Sequence, residues 1–381
     1  MKKLSIFVCV QLWLIVSCFS ISGQDFQKIR DGIEHAKITK QMKSAGGKDE
    51  NVVFNLLRLD LRKVRLDVVH AFDRAIGLEK TSSIAARHGA FAAINAGFFR
   101  LDKSIFAGDA AGALMIDRKV LSESYASRSA LLIRNERQKT IADFQYLDLN
   151  VLVAIGNQEL SVSGINRERR NDELILFTPE FNRTTLTNIA GLEITVQNGK
   201  IIRILDRKGS SSIPANGFIL SATGKSREEL LKQARPGAKV VVSQPITYTK
   251  LDGKPAFIIS EYEDIVGGVP SLIRFGKIEI TWEQEKSSKV FVETRHPRTA
   301  VAKLKDGKFL MVTVDGRSKE SGGISLPDLA AFLLELGATD AMNLDGGGST
   351  TMFLDGRVVN KPSDKEGERA VGDAILVFPR K

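Results

Sequence analysis

The sequence predicts an α+β fold, a large, mostly antiparallel, hairpin-rich sheet core carrying a few packed helices. Three observations point there. Apolar or alternating strand-like runs dominate from Val52 onward. Four dipeptides, Asn198-Gly199, Asp252-Gly253, Asp306-Gly307 and Asp355-Gly356, each separate two such runs, which is the strongest short-range hairpin signal. Helical periodicity is confined to a few short stretches with recognisable starts and stops. At 381 residues, with 43% hydrophobic and 26% charged residues, the chain can bury a sizeable core and has the composition of a soluble globular protein.

Residues 1–23 read as an export signal: Met1-Lys2-Lys3, an apolar run from Leu4 to Val16, then the small residues Ser17, Ser20, Ser22 and Gly23. The run is too short for a spanning helix. Ile15-Val16-Ser17-Cys18 partly resembles a lipobox, in which an acylated Cys18 becomes the first mature residue; cleavage near Ser22–Gln24 is the alternative. Either way the chain is expected to be exported to the periplasm, the cell surface or the medium, and a lipid on Cys18 is the one expected link to a membrane. Both cysteines, Cys9 and Cys18, fall in this segment, so no disulfide is expected. Losing Lys2 and Lys3 lowers the net charge from +10 to +8. That balance favours anionic ligands, but the basic residues are dispersed among acids, and no nucleic-acid partner is expected.

Residues 24–50 read as a polar, flexible lead-in, and 51–381 as one domain. In order, Val52–Leu59 and Val64–Val69 are strands, Glu79–His88 is a helix stopped by Gly89, and Phe91–Ile94 is a strand running into Asn95-Ala96-Gly97-Phe98-Phe99. Ser226 and Glu229 form a capping box opening a helix over Arg227–Ala234. Ser325-Leu326-Pro327-Asp328 opens another, with Leu329, Phe332, Leu333 and Leu336 on one face and Gly337 as its stop.

That last helix leads through a short strand, Ala341–Asp345, into Gly346-Gly347-Gly348-Ser349-Thr350, with strand resuming over Thr350–Leu354. Three glycines supply no side chains for packing, and their backbone can approach a ligand closely. Alone, the loop is also compatible with a tight turn. Upstream, the hairpin Ala300–Leu304/Phe309–Val314 brings Arg298 beside Asp315 and Arg317. Two guanidiniums there can clamp a phosphate or carboxylate, or simply pair with the acid at the surface. His296 adjoins this cluster and is the one histidine suited to catalysis. Glu261, Glu263 and Asp264, ahead of Gly267-Gly268-Val269-Pro270, read as a solvated acidic face. No Gly-x-Ser-x-Gly elbow or Walker loop is present.

Read together and in order, Asn95–Phe99, Gly267–Pro270, Arg295-His296-Pro297-Arg298-Thr299-Ala300, Asp315-Gly316-Arg317 and Asn343–Ser349 resemble the phosphodiester glycosidase family, over roughly Val52 to Pro379. The resemblance implies hydrolysis of a sugar-1-phosphodiester at the anomeric carbon. It implies Asp345 as the acting carboxylate, either base or nucleophile, and Asp315 as a second carboxylate or orienter; His296 stays the catalytic candidate its place beside the arginines makes it. Arg298 and Arg317 would hold the phosphate with help from the N–H groups of Gly346, Gly347 and Gly348. Asn95, Thr299, Asn343, Ser349 and Thr350 would line the sugar site. No cofactor is required, although Asp345, Asn343 and loop carbonyls offer oxygen ligands to a divalent cation. The expected partner is a sugar-1-phosphodiester or glycan polymer; the alternative is a non-catalytic carbohydrate-binding module using the same cleft.

Overall fold

A computed structural model describes residues 26–43, 46–125, 127–249, 255–257 and 261–380. The export signal with Cys9 and Cys18, and the Asp252-Gly253 hairpin signal, lie outside the described residues. Strand makes up 45% and helix 12%, the balance the sequence predicts.

The site is carried by two stacked sheets. The larger has eight strands among the described residues, in the order Gln27–Arg30, Ile33–Lys43, Asp49–Leu59, Phe309–Val314, Arg298–Leu304, Ala338–Asn343, Ser271–Arg274 and Lys277–Ile278. The second has five: Arg357–Val358, Met352–Leu354, Ala92–Asn95, Asp373–Pro379 and Val64–His70. Period-two alternation decides which face of each strand meets which layer. Leu57, Leu59, Val301, Met311 and Met342 of the large sheet pack against Leu66, Ile94, Met352, Ile375 and Val377 of the smaller. The other face of the large sheet, with Phe54, Leu56, Ala302 and Val312, takes Leu326, Leu329, Phe332 and Leu333 of the helix Leu326–Glu335. Phe54 and Phe332 stack there with ring centroids 4.0 Å apart. The outer face of the smaller sheet is closed by Ile84 and Ala85 of the helix Thr81–His88. The result is four layers, helix–sheet–sheet–helix. Each fully buried Leu, Ile or Phe adds ~1.5–3 kcal/mol to holding them together.

Between Leu114 and Gly267 the chain builds a second lobe of further sheets around its own core, including Leu132, Val153, Leu174, Ile194 and Leu220. Its strand Asp264–Gly267 then runs straight through Gly268–Pro270 into the large sheet at Ser271. Buried Glu285 fixes that re-entry, accepting from Ser129 N at 2.9 Å, Ser129 Oγ at 2.8 Å and Ser271 N at 2.7 Å.

Most elements fall where the sequence puts them. The helix Leu326–Glu335 has Ser325 as N-cap, accepting from Asp328 N, and the turns at Asn198-Gly199, Asp306-Gly307 and Asp355-Gly356 each join antiparallel strands. Three readings are corrected. The lead-in is not flexible over 27–43: Ile33–Lys43 pairs residue for residue with Asp49–Leu59, from Ile33↔Leu59 to Lys43↔Asp49. Its alternation of Ala36, Ile38 and Met42 toward the core is masked by the lysines between them. The second helix spans Gly224–Gln233 with Thr223 as N-cap, and Ser226 lies inside it, donating to Asp172 O at 2.7 Å. The glycines themselves enter a 3₁₀ turn, Gly347–Ser349, so strand resumes only at Met352.

Candidate active site

The loop after the Ala338–Asn343 strand sits where the two sheets meet. Asp345 N donates to Ala96 O at 2.9 Å, and Asn95 Nδ2 donates to Asp345 O at 2.7 Å. Gly347 N reaches back to Pro297 O at 2.9 Å. Each glycine is there because something occupies the space a Cβ would take. At Gly346 it is Pro297 O, 2.8 Å away; at Gly347, with φ +62°, it is the Arg317 guanidinium; at Gly348 it is Arg369 with its partner Asp364. The loop is a close-packed seat built from four distant segments.

Two carboxyl groups share it. Asp345 is half-buried, with Gly346 N donating to its Oδ1 at 2.9 Å. Burial pushes its carboxyl up to about 6, against the opposing pull of the Ser349 hydroxyl, the Gly346 N–H and the Arg369 charge. Ser349 Oγ makes no well-formed hydrogen bond, so its effect on Asp345 is that of a nearby dipole. Asp373, at the head of the last strand, is 2% exposed. Burial pushes it up to about 7; Gly97 N, donating at 2.6 Å, lowers it, and the Asp345 charge raises it again. Burial thus holds both carboxyls above the usual carboxylate range, and the Asp345 charge adds to the rise at Asp373. Carboxyls lifted toward neutrality by burial are suited to proton transfer there.

Two guanidiniums flank the pair. Arg317 is exposed, with Nη2 3.1 Å from the position of a Gly347 Cβ and 3.4 Å from His296 Nδ1. Arg369 grips Asp364 in a two-pronged pair, Nε to Oδ2 at 2.7 Å and Nη2 to Oδ1 at 3.0 Å. Burial, then the charges of Arg298 and Arg317, push the His296 imidazole down, which keeps it neutral near pH 7.

Residues 190–378, which hold both carboxyls and both guanidiniums, match the family model for phosphodiester glycosidases. This part of the chain belongs to the phosphodiester glycosidase family. The mouse N-acetylglucosamine-1-phosphodiester alpha-N-acetylglucosaminidase is 31% identical over 185 residues, 46% of this chain and 34% of the mouse enzyme. The chain thus spans about a third of the length of that relative. The SPbeta prophage-derived protein YomE of Bacillus subtilis is 40% identical over 86 residues, 23% of this chain and 13% of that protein. In architecture the chain is similar to a crystal structure of a Synechocystis protein, with a TM-score of 0.76 at 23% identity, covering 92% of this chain and 62% of the other.

Within this family frame, several expected ligand-binding groups turn out to hold the seat rather than face a ligand. Arg298 is 1% exposed, and its guanidinium donates to Ile324 O at 3.2 Å, Phe291 O at 2.6 Å and Thr294 O at 2.7 Å while lying 4.8 Å over the Phe291 ring. Burial, with Arg317 adding to it, pushes it down to about 10. It pins the segment before it and is not half of a phosphate clamp; the cation that joins Arg317 at the loop is Arg369. Asp315, 4% exposed, accepts from Lys361 N at 3.0 Å while its own carbonyl takes Ser321 Oγ at 2.6 Å. It braces the hairpin end, with burial raising its pKa, and the second carboxyl beside Asp345 is Asp373.

Asn95 is fully buried, its Oδ1 taken by Thr299 Oγ1 at 2.8 Å and Thr351 N at 3.1 Å. Thr350 Oγ1 is 3.4 Å from Thr299 Oγ1. Asn343, also fully buried, donates to Val269 O at 2.6 Å and ties in the Gly267–Pro270 loop. Of the loop N–H groups, Gly346 serves Asp345 and Gly347 serves Pro297. Asp264 is no solvated acid: it is 3% exposed, accepts from Val68 N and Asp117 N, and is pushed up to about 7 by burial.

Sequence reasoning missed Asp373 and Arg369. A carboxylate opening an otherwise apolar final strand, directly after Gly372, is the signal for Asp373. Arg369 sits in a polar run where its spacing from Asp364 carries no message.

Proposed function

We propose that this chain hydrolyses a sugar-1-phosphodiester at the anomeric carbon, with a GlcNAc-1-phosphodiester or close analogue within a glycan or cell-surface polymer as substrate. The observation that carries the reading is Asp345 on the glycine loop, with the exposed Arg317 guanidinium packed over Gly347 two residues on. The reaction breaks the bond between the anomeric carbon and the phosphate oxygen, the electron pair leaves with the phosphate, and water supplies the new hydroxyl. A phosphate monoester departs readily as an anion, so protonation of the leaving group matters less than in ordinary glycoside cleavage. What is needed is negative charge facing the oxocarbenium-like centre and positive charge on the phosphate.

Asp345 supplies the first, as base or nucleophile, and Arg317 the second, through a planar fork suited to phosphate oxygens. Arg369, committed to Asp364, adds its field and holds the loop. Protonated Asp373 keeps a second negative charge out of the seat that must receive a phosphate. We further propose export, on the pattern of residues 1–23. Release of free sugar from a GlcNAc-1-phosphodiester tests the activity. Asp345→Asn is expected to lower turnover by ~10²–10⁴ with the fold intact. Saturable binding without turnover in the unsubstituted chain replaces this reading with that of a binding module.

A further inference from the structure

Beyond the head of the Val64–His70 strand, two loops carry large apolar side chains into solvent. Phe72 on one, and Leu101 and Ile105 on the other, are each more than half exposed. Phe72 is held there at φ 55°, with its N–H donating to Glu79 Oε2 at 2.9 Å. A bulky residue in the left-handed region is strained, and such strain persists only where its surroundings impose it. Between the loops lies a cleft of about 290 Å³, lined by buried Phe181 and half-buried Ile76 and Ala107, with exposed Arg74, Arg183 and Ile105 at its rim. Its base is fixed: Gly77 N donates to Ala107 O at 2.9 Å, and Gly77 O fills the space a Cβ on Gly108 would take. The charges here are not balanced. Asp73 is taken by Arg87 and His88, and Asp102 by Arg100, whereas Arg74, Lys103 and Arg183 have no carboxylate partner among the described residues.

We infer that this face docks on a lipid surface rich in anionic phosphate headgroups, with Phe72, Leu101 and Ile105 entering the acyl boundary and Arg74, Lys103 and Arg183 lying among the phosphates. Two features select a membrane over a protein partner. Apolar tips and unpaired bases are interspersed here, whereas the core of a protein interface is depleted of charge. That mixture is what an interfacial segment needs, because apolar groups gain by leaving water while Lys and Arg stay with the headgroups. The cleft between the loops then receives a single headgroup, its two guanidiniums set to fork phosphate oxygens over an apolar base. The inference stands apart from the catalytic reading, yet both concern one end of the molecule. His70, two residues before Phe72, pairs directly with Asp373, and its Nε2 donates to Gly108 O at 2.9 Å, next to the base of the cleft. Docking by this face brings the Asp373 end of the smaller sheet to the lipid surface.

The test uses the processed protein as the exporting cell releases it, carrying Cys18→Ser so that no acyl chain anchors it. Vesicles are of phosphatidylcholine alone or mixed with phosphatidylglycerol. Expected in co-sedimentation is binding to the mixed vesicles at least ~tenfold tighter than to phosphatidylcholine, weakening as salt rises. Leu101→Asp with Ile105→Asp is expected to lower that affinity at least ~tenfold, and Arg74→Glu with Arg183→Glu by as much. All four side chains are exposed, so the melting temperature is expected to stay unchanged in both double variants. Equal affinity for the two vesicle types, binding that both double variants retain, or no binding to either vesicle overturns the inference. So does self-association that the same variants abolish in place of vesicle binding, which marks the face as a contact between copies of the chain.

Discussion

Burial holds the Asp373 carboxyl at about 7 against 3.8 for an unperturbed aspartate, so the folded chain binds that proton more tightly than the unfolded one. The stability this contributes is complete below about pH 4 and is lost as pH rises through 7; roughly 4 kcal/mol separates the two limits. Asp373→Asn, whose Oδ1 can still accept from Gly97 N, is therefore expected to raise Tm at pH 8, change it little at pH 4, and keep turnover while removing its fall above about pH 7. Thermal melts across that pH range decide it; a lower Tm at pH 8 argues against the assignment. In the unsubstituted chain, activity is expected to rise through about 6 as Asp345 ionises and to fall above about 7 as Asp373 loses its proton, with both limits belonging to the coupled pair. A second pair of substitutions separates strut from ligand. Arg298→Met strips donors from three carbonyls, that of Ile324 buried, and is expected to cost ~1–3 kcal/mol in denaturant unfolding. Arg317→Ala is expected to leave stability within about 0.5 kcal/mol and to raise KM. Asp345 and Arg317 were legible in the sequence because each adjoins a glycine. Burial is what separates Arg298 from Arg317, and two arginines at one hairpin end look alike until the side chains are placed.

At the level of the element, the glycine loop and the first long hairpin make opposite points. The loop's composition announces close approach, yet not what approaches; Pro297, Arg317 and Arg369 arrive from elsewhere in the chain. Gly348→Ala sets a methyl into the Arg369–Asp364 pair and is expected to lower kcat/KM more than tenfold while the fold survives, a split that parallel melts and kinetics would expose. For the hairpin, strand character was hidden because Ile33–Lys43 lies near one edge of its sheet and carries polar residues on much of its surface. Capped helices and Asx-Gly turns were legible because their signals are local. The strand's warrant is a partner, and pairing partners are not written in local composition. Removing residues up to 43 is expected to leave the eleven-residue strand Asp49–Leu59 with an open edge and to send the protein into aggregates, visible as a shift to the void volume in size-exclusion chromatography.

On the scale of the molecule, the sheet-rich α+β class followed from the hairpins and sparse helices, whereas the four-layer stacking did not. Which strands share a sheet is set by pairings between segments hundreds of residues apart, such as Met352↔Ile94 and Thr313↔Asn55, and which sheet covers which by core contacts as distant. The same architecture fixes when the site can exist. Asp373–Pro379 is not an edge strand: it lies between Ala92–Asn95 and Val64–His70, pairing with both. This strand, the last among the described residues, thus closes a gap between two much earlier ones, and it delivers Asp373 as it does so. Loop-closure entropy must be met before those contacts contribute, which makes this a slow, late step. A chain leaving the ribosome therefore has no assembled carboxyl pair, and no complete second sheet, until Asp373–Pro379 emerges. A chain ending at Gly372 is expected to show no cooperative unfolding transition, and the onset of activity during refolding is expected to coincide with protection of the Val64–His70 amides in hydrogen exchange.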